Sequence, residues 1–278
     1  MRMRSIIVVI VVLWLSCLEC WGIPLSRTTS LDGSIELSNL HDDEHTFSWA
    51  GYLRYDLWWP LQTASGWNSF AGAISYDGLT ISGNIGRRDI SGQSEIYAVR
   101  WGYDIGKDDY VMELLERPAG LGNSSAMNMS DNGEYIVGYF WKYEGDGEPA
   151  SYWDRDGDVH LLGSVGSSYY GAAAYDVSDN GIIVGMEVAY GEAGQFATIW
   201  DAAHGMRDLR EVLINEYGYD FAGWRLSDAR YISADGTYIF GSGYDPAGRN
   251  VEWEAVIPEP GSLALLGFGA LLLRRRIR

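Results

Sequence analysis

One short phrase recurs along the chain and constrains its fold more than any other feature. It reads SYDGLTISG at 75–83, SDNGEYIVG at 130–138, SDNGIIVG at 178–185 and SADGTYIFG at 233–241. These copies start 55, 48 and 55 residues apart, and a weaker copy, SLDGSIEL, starts at Ser30. Self-similarity at such a period indicates a chain built from repeated supersecondary units that stack on one another.

A tryptophan follows each copy of the phrase, in contexts such as YAVRW and ATIW. The five tryptophans are 52, 52, 47 and 53 residues apart: Trp49, Trp101, Trp153, Trp200 and Trp253. In most units an acidic residue or histidine and a leucine then close the pattern, at Leu57, Leu115, Leu162 and Leu209. This spacing predicts that the tryptophans occupy equivalent places in successive units and fill the layer between them.

Each phrase has the chemistry of a tight turn followed by a strand. Asp-Gly or Asn-Gly supplies the positive φ angle that a turn between strands needs, and the serine hydroxyl can hold the turn by a local hydrogen bond. Runs such as YIVG and YIFG are β-branched and aromatic, which is typical of a short buried strand. Because only residues 207–217 show a helical period over more than two turns, we expect one short helix in an all-β domain.

A unit of 47–55 residues with about four short strands has the period of a β-propeller blade. We therefore predict an all-β, propeller-like domain with four blades, or five if SLDGSIEL opens a further blade. An antiparallel sandwich is the competing architecture. The phrase also resembles the HAF family of extracellular repeats, in which an S-x-D/N-G…I-V-G…A…W pattern recurs. That resemblance implies a fold tendency and an extracellular setting, and no biochemical activity.

The N-terminus is typical of a secretory signal peptide. Arg2 and Arg4 precede an apolar run at 6–15, and small residues follow up to Gly22. We expect signal peptidase to cut after Gly22; an uncleaved signal anchor and a lipoprotein cut before Cys17 are the alternatives. Both cysteines of the chain lie within the signal, so the mature protein would form no disulfide.

The C-terminus has three ordered parts: a Pro-Glu-Pro motif, an uncharged run of twelve residues at 262–273, and a basic cluster. As a helix the run would be about 18 Å long, too short for a hydrocarbon core of about 30 Å. The residues of the motif and the cluster that we assign as sorting residues are Pro258, Glu259, Pro260, Arg274, Arg275 and Arg276.

This arrangement resembles the PEP-CTERM sorting signal of exopolysaccharide-producing Gram-negative bacteria. The resemblance implies that exosortase, a transpeptidase of the membrane, recognises the tail and cleaves at or near the Pro-Glu-Pro motif. The arginines would act as a stop-transfer on the cytoplasmic side, and the short hydrophobic helix would hold the chain only until processing. An ordinary C-terminal tail anchor is the alternative.

These ends divide the chain into a signal peptide at 1–22, a β-repeat domain at 23–257 and a sorting signal at 258–278. The whole chain has a net charge of −18. Residues 23–260 exclude six of the 20 basic residues and one of the 38 acidic residues of the chain. They therefore contain 14 basic and 37 acidic residues and have a net charge of −23. A domain this acidic repels phosphate backbones, which excludes nucleic acid as a partner. Transient membrane association would therefore occur through the uncharged C-terminal run.

Two segments outside the repeat match the residue types and spacing of known metal sites. HDDEH, from His41 to His45, matches the H-x-x-E-H pattern of a zinc peptidase class, but that chemistry needs a helix and this segment lies between two strand-like runs. We expect a solvated loop with adventitious metal binding. WDRDGD places Asp154, Asp156 and Asp158 at alternate positions, yet lacks the sixth-position glycine and the later glutamate of a calcium loop. We expect a hairpin turn.

The remaining residues form no recognisable catalytic set. The sequence has no G-x-S-x-G elbow and no phosphate-binding glycine loop, and His160 and His204 are isolated. Trp58, Trp59 and Trp67 have the chemistry to stack on sugar rings, but core or blade-interface positions are favoured in so aromatic a chain. We therefore assign no catalytic, cofactor-binding or metal residue and no cofactor.

The sequence predicts an exported, non-enzymatic scaffold or binding module. It would pass from a precursor tethered to the inner membrane to the cell surface or the extracellular matrix, with signal peptidase and exosortase as processing partners and exopolysaccharide as a further partner. A secreted polysaccharide-active enzyme and a glycan- or calcium-binding module, each on the same propeller, are the alternatives.

We predict that cells with the sorting machinery remove both ends and leave a chain close to residues 23–260, because a run of this length anchors poorly. The intact mass of protein recovered from producing cells checks this. Recovery of the full-length chain alone, with Met1 and Arg278 present, would contradict it.

Overall fold

The computed structural model describes residues 28–41, 48–54, 57–88, 93–141, 147–166, 169–190 and 194–257. Within these ranges the chain forms five antiparallel sheets, here called blades 1 to 5, and every strand pairs with its neighbours in chain order. The five-bladed alternative of the predicted propeller is therefore the one observed, with SLDGSIEL opening blade 1.

Blade 1 contains β1 (Ile35–His41), β2 (Ser48–Arg54) and β3 (Leu57–Pro60). Blade 2 contains β4 (Asn68–Ile74), β5 (Thr80–Arg88), β6 (Ser94–Asp104) and β7 (Asp109–Leu114). Blade 3 contains β8 (Ser124–Met129), β9 (Ile136–Phe140), β10 (Ala150–Trp153) and β11 (Val159–Leu161). Blade 4 contains β12 (Tyr169–Val177), β13 (Ile183–Ala189), β14 (Gln195–Asp201) and β15 (Gly205–Asp208). Blade 5 contains β16 (Arg225–Ile232), β17 (Tyr238–Tyr244) and β18 (Asn250–Val256).

The repeated phrase forms the same turn in all five blades. The serine Oγ donates a hydrogen bond over 2.5–2.8 Å to Oδ1 of the Asp or Asn two residues later; the serines are Ser30, Ser75, Ser130, Ser178 and Ser233. The same Oγ accepts from a backbone N–H, at 2.9–3.1 Å, where the strand after the turn begins. This is the second strand in blades 2 to 5 and the first in blade 1. The glycine of each turn has a φ of +69° to +80°, which glycine adopts without a steric cost. The predicted turn is confirmed.

Backbone hydrogen bonds join the turns of neighbouring blades to one another. Leu31 N–H donates to Tyr76 O at 3.0 Å, Tyr76 N–H donates to Asp131 O at 2.6 Å, and Asp179 N–H donates to Ala234 O at 2.8 Å. Between blades 3 and 4, Asn132 N–H donates to Asp179 Oδ1 at 2.8 Å. The turns therefore lie side by side at one end of the blades.

The glycine that ends each YIVG-like run leaves room for a bulge in the first strand of the blade. A Cβ atom placed on these glycines would lie 1.8–2.1 Å from a carbonyl oxygen of that first strand; they are Gly83, Gly138, Gly185 and Gly241. Opposite each glycine the pairing register shifts by one residue, in β4, β8, β12 and β16. A bulge adds an unpaired residue and turns its side chain away from the regular pattern.

Hydrophobic clusters fill the spaces between consecutive blades, and the predicted tryptophans lie in them. Trp101 packs between blades 1 and 2, Trp153 between blades 2 and 3, and Trp253 between blades 4 and 5, while Trp200 packs half-buried against the cluster of blades 3 and 4. All four occupy the third strand of their blade. The repeat prediction is therefore confirmed at the level of strands.

Register and burial correct three details of that prediction. Trp253 pairs with Gly241, whereas Trp101 pairs with Ile81, so the last tryptophan is displaced by two residues on the same face of its strand. Trp49 lies on β2, the second strand of the three-stranded blade 1, and is 40% exposed. Leu57 is 61% exposed and does not close blade 1. The leucine in that place is Leu61, which is buried.

The backbone N–H of Leu61 donates to Ala50 O, just as Leu115 N–H donates to Ala98 O in blade 2.

The single helix of the described ranges, α1 (Leu209–Asn215), lies within the segment predicted to be helical. At seven residues it is far too short to cross a bilayer, and no other helix of these ranges is a candidate span. Residues 1–22 and 258–278, which contain the predicted signal peptide and all sorting residues, lie outside the described ranges.

We predict that Gly138→Ala lowers the free energy of unfolding by about 3 kcal/mol, because the added Cβ would meet Ser125 O at 1.8 Å and force the bulge apart. Gly102→Ala is the matched control: it lies in a neighbouring blade's third strand with no atom within 4 Å of the new Cβ, and should change stability by less than about 1 kcal/mol. Urea denaturation measures both. Equal effects would contradict the bulge contact.

Candidate functional site

The bulges direct side chains into a cleft where blades 3, 4 and 5 meet. Met127, Tyr175 and Arg230, the extra residues of β8, β12 and β16, all line this cleft, which has a volume of about 520 Å³. Each lies three residues before the serine of its turn. The same repeat that makes the turns therefore places one side chain from each of three blades at a common site.

Aromatic rings form much of the cleft wall. Tyr139 and Trp141, at the end of β9, contact each other edge to face with centroids 4.6 Å apart. Tyr170, on β12, is 56% exposed and stands at the rim. Met127 and Met186 add apolar surface. Exposed rings in a concave site offer flat apolar faces to a ligand.

An ion pair occupies one side of the cleft. Arg230 Nε lies 2.9 Å from Asp228 Oδ1, and Asp228 also accepts hydrogen bonds from the backbone N–H and the hydroxyl of Ser242. A second register shift in β16, facing Gly243, lies directly before Asp228. Asp228 is thus held by its own blade, with its charge balanced by a neighbouring arginine.

Glu148 brings a carboxylate to the boundary between blades 3 and 4. Its backbone carbonyl accepts from Ala172 N–H at 2.8 Å, and it forms a parallel bridge with Gly171 of β12. Burial raises the pKa of Glu148 above its ordinary value. Burial, and then the charge of Glu148, raise the pKa of Tyr139. The glutamate and the aromatic wall are therefore close enough to interact.

A buried carboxylate, Asp176, ties blades 3, 4 and 5 together. Its Oδ1 accepts from Asn128 Nδ2 at 2.7 Å and from Val177 N–H at 2.9 Å, and its Oδ2 accepts from Ile232 N–H at 2.8 Å. Burial raises its pKa to about 7 in spite of these donors. Asn128 lines both the main cleft and a second cavity of about 390 Å³ that Asp176 borders.

The described residues of the two sequence-predicted metal segments do not line the cleft. His41 ends β1, its backbone pairs with Ser48 of β2, and His45 lies outside the described residues. Asp154 Oδ1 accepts from the backbone N–H of Asp156 and Asp158 in a β10–β11 hairpin, which is the expected turn. In the ranges that the structure describes, no three His, Cys, Asp or Glu residues form a group suited to a metal ion.

The sequence-predicted aromatic and histidine candidates are scattered. Trp58 and Trp59 lie on β3 in blade 1, where Trp59 is 48% exposed and so is not a core residue. Trp67 packs against the cluster of blades 1 and 2, with Arg87 over its ring. His160 and His204 each pair locally with an aspartate, Asp154 and Asp201, as polar strand and turn residues do.

Sequence reasoning missed the cleft residues. The position three before each turn serine was the available signal, because Met127, Tyr175 and Arg230 share it and differ in chemistry. Glu148 had no comparable signal, since it lies between β9 and β10 in a segment that the repeat does not cover.

Comparison with known proteins finds one sequence family and several structures. The profile of the PEP-CTERM protein-sorting motif matches residues 256–278. The chain therefore carries the sorting motif predicted from its sequence, and the motif implies recognition by exosortase. No curated protein sequence matches the chain.

The fold is similar to that of solved β-propeller domains. One is the β-propeller domain of the Trilobed protease from Pyrococcus furiosus, with a TM-score of 0.50, 14% identity, and coverage of 83% of this chain and 69% of that one. Another is a prolyl endopeptidase, with a TM-score of 0.55, 9% identity, and coverage of 84% and 33%. A third is an acylaminoacyl peptidase, with a TM-score of 0.50, 13% identity, and coverage of 84% of this chain and 38% of that one.

At these identities the likeness shows the fold alone. The chain spans about a third of the length of the two larger peptidases, and their activities are not carried over.

We predict that Asp176 makes the folded protein less stable as the pH rises. Burial raises its pKa from an ordinary value of 3.8 to about 7, so the folded state holds the proton more strongly. The resulting stability is complete below about pH 4 and is lost as the pH rises through 7, by up to about 4 kcal/mol. Asp176→Asn, which cannot titrate, should remove this part of the pH dependence in urea denaturation. Parallel stability curves for the two proteins would contradict the shift.

Proposed function

We propose that the chain is an exported surface or matrix protein whose five-bladed domain is a non-enzymatic module that binds saccharide chains. In this proposal signal peptidase removes the N-terminus, exosortase processes the C-terminal motif, and the propeller remains outside the cell. The HAF-like character of the repeats and exopolysaccharide as the ligand belong to the same proposal. The matched sorting motif supports the export route.

The lining of the cleft carries the proposal. It combines the Tyr139–Trp141 pair, the exposed ring of Tyr170 and the carboxylate of Glu148 in one concave site. Sugar rings present apolar C–H faces that pack on aromatic rings, and their hydroxyl groups donate to carboxylates. The 520 Å³ volume lies within the usual range for small-ligand sites and accommodates a short stretch of a polymer.

The repeat supports a persistent scaffold around that site. The serines, Asp or Asn residues and glycines of the phrase are used in turns and bulges, and the tryptophans pack between blades. A protein stabilised by contacts between successive repeats suits a surface or matrix, where the chain must endure.

A polysaccharide-active enzyme is the second candidate, because two carboxyl groups, Glu148 and Asp228, line the same cleft. In such an enzyme Glu148, whose pKa is raised by burial, would be the proton donor. The hydrogen bonds of Asp228 to Arg230 and Ser242 favour a structural task for the second carboxylate. The binding module is therefore preferred.

We predict saturable binding of oligosaccharides without cleavage of a glycosidic bond. The test titrates the purified full chain with neutral, N-acetylated and amine-bearing oligosaccharides by calorimetry and analyses the same mixtures for products by mass spectrometry. Trp141→Ala should weaken binding about tenfold, because it removes a stacking face. Trp59→Ala, which removes an exposed ring on blade 1, should leave binding unchanged.

Two results would contradict this function. If no oligosaccharide of the panel binds, the proposal of a saccharide-binding module is wrong. If the chain cleaves an oligosaccharide and Glu148→Gln abolishes the cleavage, the protein is an enzyme instead.

A further inference from the structure

The charges that line the cleft do not cancel. Arg230 and Asp228 form an ion pair with each other, with Nε 2.9 Å from Oδ1. Among the described residues that line the site, Glu148 is the one remaining charged side chain, so the cleft carries one net negative charge. A neutral ligand would leave that charge without an ionic partner in a concave site.

The side chain of Glu148 lines the cleft, where a ligand can contact its carboxylate. No hydrogen bond or ion pair joins it to another described residue, although its backbone is fixed to β12 through Ala172 and Gly171. A half-buried carboxylate that lacks a partner carries an uncompensated desolvation cost, and a cation that contacts it removes that cost. Because the backbone is already fixed, only side-chain conformational entropy of Glu148 is lost when this contact forms.

The rings beside Glu148 also favour a cation. Tyr139, Trp141 and Tyr170 line the same cleft, and the faces of Trp and Tyr rings attract ammonium groups through their quadrupole. A neutral sugar would use this carboxylate only as a hydrogen-bond acceptor, whereas a protonated amine also neutralises its charge. The combination of several aromatic rings with one carboxylate matches the chemistry that recognises amines.

The rest of the protein reinforces this preference at long range. With 14 basic and 37 acidic residues between positions 23 and 260, the domain has a net charge of −23. Its field attracts polycations and repels uronic-acid or sulfated polymers. The local charge of the cleft and the charge of the whole domain therefore select for the same sign.

We propose that the cleft of blades 3, 4 and 5 recognises a saccharide that bears free, protonated amines, such as a polymer of unacetylated amino sugars. The amine contacts the Glu148 carboxylate, and the ring of that sugar or of its neighbour stacks on Tyr139 and Trp141. This inference rests on the proposed saccharide-binding function and specifies its ligand.

The experiment compares three tetrasaccharides of similar size, built from glucosamine, N-acetylglucosamine and glucose, by calorimetric titration of the full chain. The glucosamine oligomer should bind about tenfold more tightly than the other two, because it adds a charge-assisted hydrogen bond and a cation–π contact. Its advantage should shrink as salt is added, since salt screens the attraction. Tetralysine is included as a cation that is not a sugar.

Glu148→Gln separates the charge from the shape of the site. It should lower the affinity for the glucosamine oligomer about tenfold and leave the affinity for the N-acetylated oligomer unchanged, so that the preference disappears. Glu252→Gln is the matched control: Glu252 is exposed on β18 and does not line the cleft. That variant removes the same net charge from the domain and should keep the preference.

Each other outcome overturns the inference. Equal binding of the three oligomers, lost in Trp141→Ala, would keep saccharide binding and refute selection for an amine. Equal losses in Glu148→Gln and Glu252→Gln would assign the preference to overall charge. Tighter binding of tetralysine than of the glucosamine oligomer would assign the site to peptides. Absence of binding by every sugar would remove both the inference and the proposed function.

Discussion

The hydrogen-bonded Ser–Asx–Gly turn is the interaction on which the rest of the structure depends. In each blade one serine hydroxyl donates to an Asp or Asn side chain and accepts from the backbone where the strand after the turn begins, as Ser75 does with Asp77 and Thr80. Such local bonds each contribute about 1 kcal/mol. Their larger effect is geometric, because they fix where the following strand begins and bring each turn beside the next, as Leu31 and Tyr76 show.

The site is a consequence of the bulge that follows from this geometry. With the turn fixed, the glycine of the second strand, for example Gly185, stands opposite the extra residue of the first strand. Because the glycine has no Cβ, the first strand can approach and direct Tyr175 into the cleft. The repeat fixes where the bulged residue lies in each blade. Its side chain differs between blades, as Met127, Tyr175 and Arg230, and so gives the cleft its different chemical groups. A rigid backbone and a variable side chain are thus combined in one motif.

The parts of the fold that depend on short-range geometry could be predicted from the sequence. The turns, the all-β class, the third-strand tryptophans and the helix near Leu209 all follow from local patterns. The parts that depend on contacts between blades could not. Leu61 replaces Leu57 because Leu57 pairs with Arg54 beside the hairpin, whereas Leu61 follows β3 and donates to Ala50 O. Glu148 enters the cleft through a bridge to blade 4 that no spacing in the sequence reveals.

Hydrogen–deuterium exchange of the turn amides tests the central claim most directly. The backbone N–H groups of Thr80, Tyr135 and Tyr238 all donate to the serine Oγ of their turn, at 2.9–3.0 Å. If these turns hold the blades together, the three amides should exchange slowly and with one common free energy, that of global unfolding. Fast or dissimilar exchange at the three positions, with the strands still protected, would show that the turns are local features and that other contacts organise the fold.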